Sequence, residues 1–237
     1  MGRNNWFEFK QFRIEQHRAA MKVGTDGVLL GAWTPVGEAQ RILDVGTGTG
    51  LIALMLAQRS VSNIDAVEID TPASEEARFN FEQSKWSNRL KVINTDFFPF
   101  SGSSAGSYDL IVSNPPYFVN SLKSLNKALA VARHNQMLTF QNLISGARKL
   151  LGIRGRFCVI IPFESFNEFR ELARLEGFFP GLQTTVFPQV GKAPKRILLE
   201  FTREPGFPIA NTLAILDEKG LYTQTYKQLT AEYYPAF

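Results

Sequence analysis

Arg41-Ile42-Leu43-Asp44-Val45-Gly46-Thr47-Gly48-Thr49-Gly50-Leu51 decides the fold. An apolar run ends beside an acid, glycines follow at positions 46, 48 and 50, and a helix-forming stretch continues from Leu51 to Gln58. Strand, glycine turn, helix is the order that lets a ligand approach the backbone, since glycine adds no Cβ and accepts left-handed φ. Outward from this stretch, strand-like and helix-like segments alternate. Strands are predicted at 42–45, 64–69, 90–95, 108–113 and 156–161. Helices are predicted at 50–58, from Pro72 through 83, from a Thr139 cap through 151, and at 164–176 before the stop Gly177-Phe178-Phe179-Pro180. Two more strands, 182–190 and 196–203, flank a hairpin-like loop, Gly191-Lys192-Ala193-Pro194-Lys195. The order predicts an α/β, Rossmann-like fold: a doubly wound, mostly parallel seven-stranded sheet with an antiparallel C-terminal strand pair. Residues 1–40 read as a segment packed near the ligand site and 41–237 as the main unit, together one structural domain.

Composition narrows the class. The chain has 237 residues, 44% apolar and 12% aromatic, enough for a full core and too apolar for disorder. Its longest apolar runs are strand-length, which argues against a helical membrane span. The opening residues show no charged-then-apolar leader, and Trp6 stands where a myristoylation signal needs Ser or Thr. The single cysteine, Cys158, allows no internal disulfide and reads as a buried strand thiol. His17 and His134, the only histidines, have no metal-ligand spacing. The expectation is a cytoplasmic, metal-free protein, monomeric by default.

Charge is uneven. The net value is +4, yet 101–160 holds seven basic residues (Lys123, Lys127, Arg133, Arg148, Lys149, Arg154, Arg156) against Asp109 alone. An acid-free run from Leu110 to Phe163 suits a polyanion or an ordinary solvated face. Near the start, Lys10, Arg13, His17, Arg18 and Lys22 recur at helix-compatible spacing with Glu8 and Glu15 interleaved, the pattern of a mixed-charge surface helix. Thr25 or Asp26 is expected to cap a helix from Gly27 to Trp33, and the aromatic tail from Leu213 a docked helix.

The glycine loop departs from a dinucleotide fingerprint, because its third glycine arrives one residue early and Asp44 precedes it. Asp-x-Gly-x-Gly-x-Gly matches an S-adenosylmethionine loop, which has no diphosphate to cradle. Asp44 can meet the ligand's ammonium group, and Glu68, at the next strand end, its ribose hydroxyls. Asp96 can accept from the adenine amine, with Phe97 against the ring.

Asn114-Pro115-Pro116-Tyr117 follows the apolar run Leu110-Ile111-Val112. An adenine amine or a glutamine amide is a weak nucleophile because its lone pair is delocalised. Two acceptors aimed at its N–H bonds, Asn114 Oδ1 and the Pro115 carbonyl, favour the pyramidal nitrogen that attacks. The prolines hold them still and Tyr117 can stack on the planar acceptor.

These residues make the chain resemble the bacterial tRNA(Val) adenine-N6 methyltransferase family, within the Rossmann-type class I methyltransferases. The narrower match rests on Phe9-Lys10-Gln11-Phe12 and Ala20-Met21-Lys22-Val23-Gly24-Thr25-Asp26-Gly27-Val28-Leu29-Leu30-Gly31-Ala32-Trp33. It continues through the glycine loop, Val67-Glu68-Ile69-Asp70, Asp109 to Tyr117, and Arg196-Ile197-Leu198-Leu199-Glu200. The resemblance implies N6-methylation of the adenine 3′ of the anticodon, with S-adenosyl-L-methionine as cofactor and tRNA as partner. Joined to the reading above, it sets the cofactor contacts at Lys22, Thr25, Asp44, Gly46, Thr47, Gly48, Gly50, Glu68, Ile69, Asp96 and Phe97. Asn114, Pro115, Pro116 and Tyr117 are then catalytic, and the basic residues, with Lys192, Lys195 and Arg196, hold phosphates. Competing expectations are glutamine-N5 methylation of a protein, DNA adenine methylation, and an RNA-binding protein that no longer turns over.

Overall fold

The computed structural model describes residues 4–19, 21–102, 106–116 and 138–236. A hairpin, β1 (Trp6–Glu8) and β2 (Arg13–Glu15), leads to α1 (Thr25–Trp33). Next come β3 (Arg41–Val45), α2 (Leu51–Gln58), β4 (Asn63–Glu68), α3 (Thr71–Glu82), β5 (Leu90–Asn94), the short α4 (Phe97–Phe100) and β6 (Tyr108–Ser113). The chain continues with α5 (Phe140–Leu150), β7 (Leu151–Pro162), α6 (Phe166–Leu175), β8 (Phe179–Gln189), β9 (Arg196–Thr202), β10 (Ile209–Leu216) and α7 (Gln224–Thr230).

The main sheet has the order β10-β8-β9-β7-β6-β3-β4-β5. Strands β7, β6, β3, β4 and β5 are mutually parallel, and β9 runs antiparallel between β7 and β8. The sheet is covered on both faces, so its central strands alternate apolar side chains between two cores. Ile42 and Leu110 join Leu30, Leu54 and Tyr226 on one face, whereas Leu43 and Ile111 join Phe157, Phe169 and Phe201 on the other. The chain leaves β3 toward β4 on one side and takes up β6 on the other. This reversal opens a crevice at the carboxyl ends of β3 and β6, the place where doubly wound sheets bind ligands.

Three expectations are corrected. Among the described residues the main sheet has eight strands, not seven: β10 adds itself parallel to β8. Its first four residues are exposed on both faces, so no alternation marked it as a strand. The basic positions near the start lie on a hairpin and the bend after it, not on a helix. Phe9, Phe12 and Ile14 are buried there, and a period of two places Glu8 opposite Arg13. Helix α1 begins at Thr25 with Gly24 as its N-cap and no side-chain cap, because Asp26 is turned to Arg196 Nε at 2.7 Å. The tail does dock: Tyr226 and Tyr233 are buried, and Tyr233 Oη donates to the Met55 carbonyl at 3.0 Å. Among the described residues no helix is long and apolar enough to cross a membrane.

Candidate active site

The glycines after β3 have two different duties. All three sit at positive φ (71°, 57° and 85° at Gly46, Gly48 and Gly50), which L side chains adopt only with strain. A Cβ at Gly46 or Gly48 would meet nothing within 4 Å, so the loop leaves open space over its first two glycines. A Cβ at Gly50 would fall 2.5 Å from the Phe81 ring, so this third glycine is required by α3. The loop is pinned through Gly46 N–H and Thr47 N–H to the Val67 carbonyl, at 2.9 and 3.1 Å.

Asp44 lies fully buried beneath that loop. Its Oδ2 accepts from Thr47 Oγ1 at 2.6 Å and from Ala53 N–H at 3.2 Å, tying β3 to the start of α2. Its Oδ1 has no hydrogen-bond partner among the described residues. Burial pushes the carboxyl up to about 7, with Thr47 and Ala53 pulling the other way and Glu68 adding a small like-charge push. An unsatisfied acid below an open glycine loop suits a cationic group arriving from above.

Glu68 closes the second strand end. Its Oε2 accepts from Gly48 N–H and its Oε1 from Asp70 N–H, both at 2.9 Å. Each oxygen keeps a second acceptor site, so two vicinal hydroxyls can still be received. The Thr95 N–H to Glu68 carbonyl bond, 3.0 Å, sets the turn carrying Asp96 beside Glu68 and the half-exposed Ile69. Asp96 is exposed, and its Oδ1 caps α4 through Phe98 N–H at 2.9 Å. Phe97 departs from expectation. Its ring is only 4% exposed and packs under Gly146 of α5, so it cannot also lie against an adenine.

Asn114 and Pro116 are half-buried and Pro115 is buried, directly after β6. Val45 pairs with Ser113 across the sheet, and Ser113 Oγ donates to the Val45 carbonyl at 2.8 Å. The glycine loop and the Asn-Pro-Pro turn therefore start side by side. Tyr117 lies outside the described residues, as do Lys123, Lys127, Arg133 and His134. Lys22 Nζ reaches the Asn4 carbonyl at 3.4 Å, and Thr25 is exposed at the start of α1.

The described part of the basic stretch does not form one face toward the crevice. Arg148 Nε donates to the Glu176 carbonyl at 3.0 Å, and Arg156 pairs with Glu200 at 3.1 Å, both toward the amino end of β7. Lys192 and Lys195 stand instead on the β8–β9 loop, exposed on the ligand edge, because Pro162 at the end of β7 pairs with Arg196. Sequence reading passed over Glu76 and Asn80. Their signal was two polar residues four apart on the face of α3 that also carries Ala73, Ala77 and Phe81. Among the described residues no group of three or more His, Cys, Asp or Glu is placed to hold a metal.

The methyltransferase small domain model matches residues 21–185. Over 230 residues the chain is 44% identical to the tRNA1(Val) (adenine(37)-N6)-methyltransferase of Bacteroides fragilis, covering 97% of each protein. It is 47% identical over 233 residues to the protein of that name in Trichodesmium erythraeum, covering 97% of this chain and 98% of the relative. The chain belongs to the tRNA1(Val) (adenine(37)-N6)-methyltransferase family. Solved structures bear on the fold alone. A "predicted O-methyltransferase" from Agrobacterium tumefaciens superposes with a TM-score of 0.63 at 17% identity, covering 88% of this chain and 96% of its own. A ribosomal protein L11 methylase from Lactobacillus delbrueckii subsp. bulgaricus gives 0.55 at 18% identity, covering 80% and 83%. Family membership thus extends past the small domain to the N-terminal hairpin and the docked tail, which the full-length relatives span with this chain.

Proposed function

We propose that this chain transfers a methyl group from S-adenosylmethionine to the exocyclic amine of adenine 37 in tRNA1(Val). Relatives of that name align with 97% of its length, and one geometric observation supports the chemistry. The glycine loop and the Asn114 turn are held together by the Val45–Ser113 pairing at the crevice between β3 and β6.

S-adenosylmethionine supplies an electrophilic sulfonium methyl; the chain supplies placement. Gly46 and Gly48 leave room for the cofactor, with the unsatisfied Asp44 oxygen below. Glu68 receives the ribose hydroxyls, Ile69 and Asp96 border the adenine, and Lys22 and Thr25 border the methionine end. Asn114 Oδ1 and the Pro115 carbonyl accept the two N–H bonds of the target amine, so its lone pair turns toward the methyl. Tyr117 stacks on the flipped base, and in-line placement does the rest. Lys192 and Lys195 hold phosphates on the same edge, and the enzyme works as a monomer in the cytoplasm, where tRNA is.

The test is to incubate the protein with labelled S-adenosylmethionine and unmodified total tRNA, then digest to nucleosides. N6-methyladenosine, absent with Asn114→Ala, is expected, and a ribonuclease fragment map of the same tRNA should place it at position 37. Label in a release-factor glutamine instead, or no transfer despite cofactor binding, overturns the assignment.

A further inference from the structure

Between the hairpin and α1, residues 16–19 and 21–24 belong to a strap that passes from α3 to the start of α1. These residues have no regular structure, so something other than a helix or sheet ladder must hold their backbone. One buried carboxylate does. Glu76, 4% exposed on α3, accepts from His17 N–H and Arg18 N–H with Oε1, at 2.5 and 2.9 Å, and from Ala19 N–H with Oε2, at 2.8 Å. Three successive amides converging on one carboxylate form a nest of charge-assisted bonds that no neutral side chain reproduces.

One helical turn further on, Asn80 is 2% exposed. Its Oδ1 accepts from Glu15 N–H and its Nδ2 donates to the Glu15 carbonyl, both at 2.9 Å. The same Nδ2 donates to the Thr49 carbonyl inside the glycine loop, also at 2.9 Å. Asn80 therefore bonds the root of the strap and the glycine loop with a single amide. Phe81, the next residue, is the ring that fixes Gly50. From its far end the strap delivers Lys22 and Thr25, and Gln16 holds it there by accepting from Val23 N–H at 2.8 Å and donating to the Asn4 carbonyl at 2.9 Å.

We propose that Glu76 and Asn80 are positioning residues for the cofactor site: they fasten the strap to the glycine loop so that both close on one ligand together. Neither touches the crevice; both act through backbone that lines it. The inference rests on the reading that this crevice takes S-adenosylmethionine.

S-adenosylhomocysteine is the probe, because its binding needs neither tRNA nor turnover. Wild-type binding by calorimetry tests the underlying reading; the ratio of variant to wild type tests the clamp. Glu76→Gln exchanges one acceptor for a donor facing amides, and the dissociation constant is expected to rise about tenfold, the effect of roughly one charge-assisted bond. With labelled cofactor and tRNA, KM for S-adenosylmethionine should rise while KM for tRNA and kcat at saturating cofactor change less than twofold. Amide exchange at residues 17–19 should quicken, and added S-adenosylhomocysteine should slow it again. Arg18→Pro removes one amide donor from the strap side, together with the exposed Arg18–Glu75 ion pair, and leaves the sequence of α3 unchanged, so it serves should Glu76→Gln fail to fold; the same rise in dissociation constant is expected. Faster exchange at 17–19 with unaltered affinity would overturn the proposal, because the strap would then be loose without consequence for the ligand. Equal loss in tRNA and cofactor KM would overturn it too.

Discussion

Asp44→Asn should make the ligand-free protein more stable at alkaline pH. In the folded chain burial lifts the Asp44 carboxyl from 3.8 to about 7. Below 3.8 both folded and unfolded chains hold the proton. As pH rises through the window, the unfolded chain releases it first, so stability falls until the folded carboxyl also ionises near 7. Stability falls by about 1.4 kcal/mol for each pH unit crossed inside that window, so the full difference is on the order of 4 kcal/mol, of which about 2.5 kcal/mol falls between pH 5 and pH 8. Asparagine removes this dependence with little loss of bonding, because Thr47 Oγ1 and Ala53 N–H both donate to the same oxygen, Oδ2. An amide oxygen in that place keeps both, and the amide nitrogen takes the site of the unpartnered Oδ1. That nitrogen stays buried and unbonded, a penalty of about 1–3 kcal/mol at every pH. The assay is urea unfolding of both proteins at pH 5 and pH 8. The wild type should lose about 2.5 kcal/mol more than Asp44→Asn between the two. Cofactor binding should strengthen from pH 6 to 8 in the wild type only, since a cationic ligand favours the ionised acid. Parallel stability profiles would refute the reasoning, and with it the placing of an uncompensated carboxylate under the loop.

Glu68→Gln should weaken S-adenosylhomocysteine binding about tenfold by removing a charge-assisted acceptor, with KM for tRNA unchanged. Gly50→Ala combines positive φ with a clash against Phe81 and should cost about 2–4 kcal/mol in unfolding; Phe81→Leu should return part of it. Gly48→Ala faces open space, so about 1–2 kcal/mol of strain is expected with a much larger loss of cofactor binding. Replacing Lys192 and Lys195 together with alanine should lower the slope of log affinity for tRNA against log salt by about 1.5; an unchanged slope would remove them from the phosphate contacts.

Much of the fold was legible because β3 to β6 and the buried second half of β7 are short, largely apolar runs set between helices, one of them with an ordinary cap, Thr139 on Asn142 N–H; the first half of β7, with Arg154 and Gly155, carries no such run. The loop and turn motifs were legible for the same reason: strand ends fix where a following residue must stand. Pairing around the hairpin was not, since the spacing of Lys10, Arg13, His17 and Lys22 fits a helix as well as two strands and a bend. Only the burial of Phe9, Phe12 and Ile14 separates the two. Strand β10 was hidden by its exposed first half. Phe97 was misjudged because sequence order cannot say which of two adjacent rings, Phe97 or Phe98, turns inward. For Glu76 the sequence marks only a polar residue on the apolar face of α3, not what it holds: its partners are backbone amides some 57 to 59 residues away, and amides carry no sequence signature.

The hairpin that roots the strap is itself held by the tail. Lys10 N–H donates to the Tyr233 carbonyl at 2.8 Å, Lys10 Nζ to the Ala231 carbonyl at 2.6 Å, and Phe7 and Phe9 pack on Tyr234. Partners 221 residues apart are not made by the ribosome at the same moment. At 5–20 residues per second the hairpin waits roughly 10–45 s for the segment that seats it. A chain still in synthesis can close β3 to β7 around the glycine loop, while β10 and the tail that seats the hairpin come last. The two ends of the chain are thus joined by the final contacts to form, although the loop between them lies near its start.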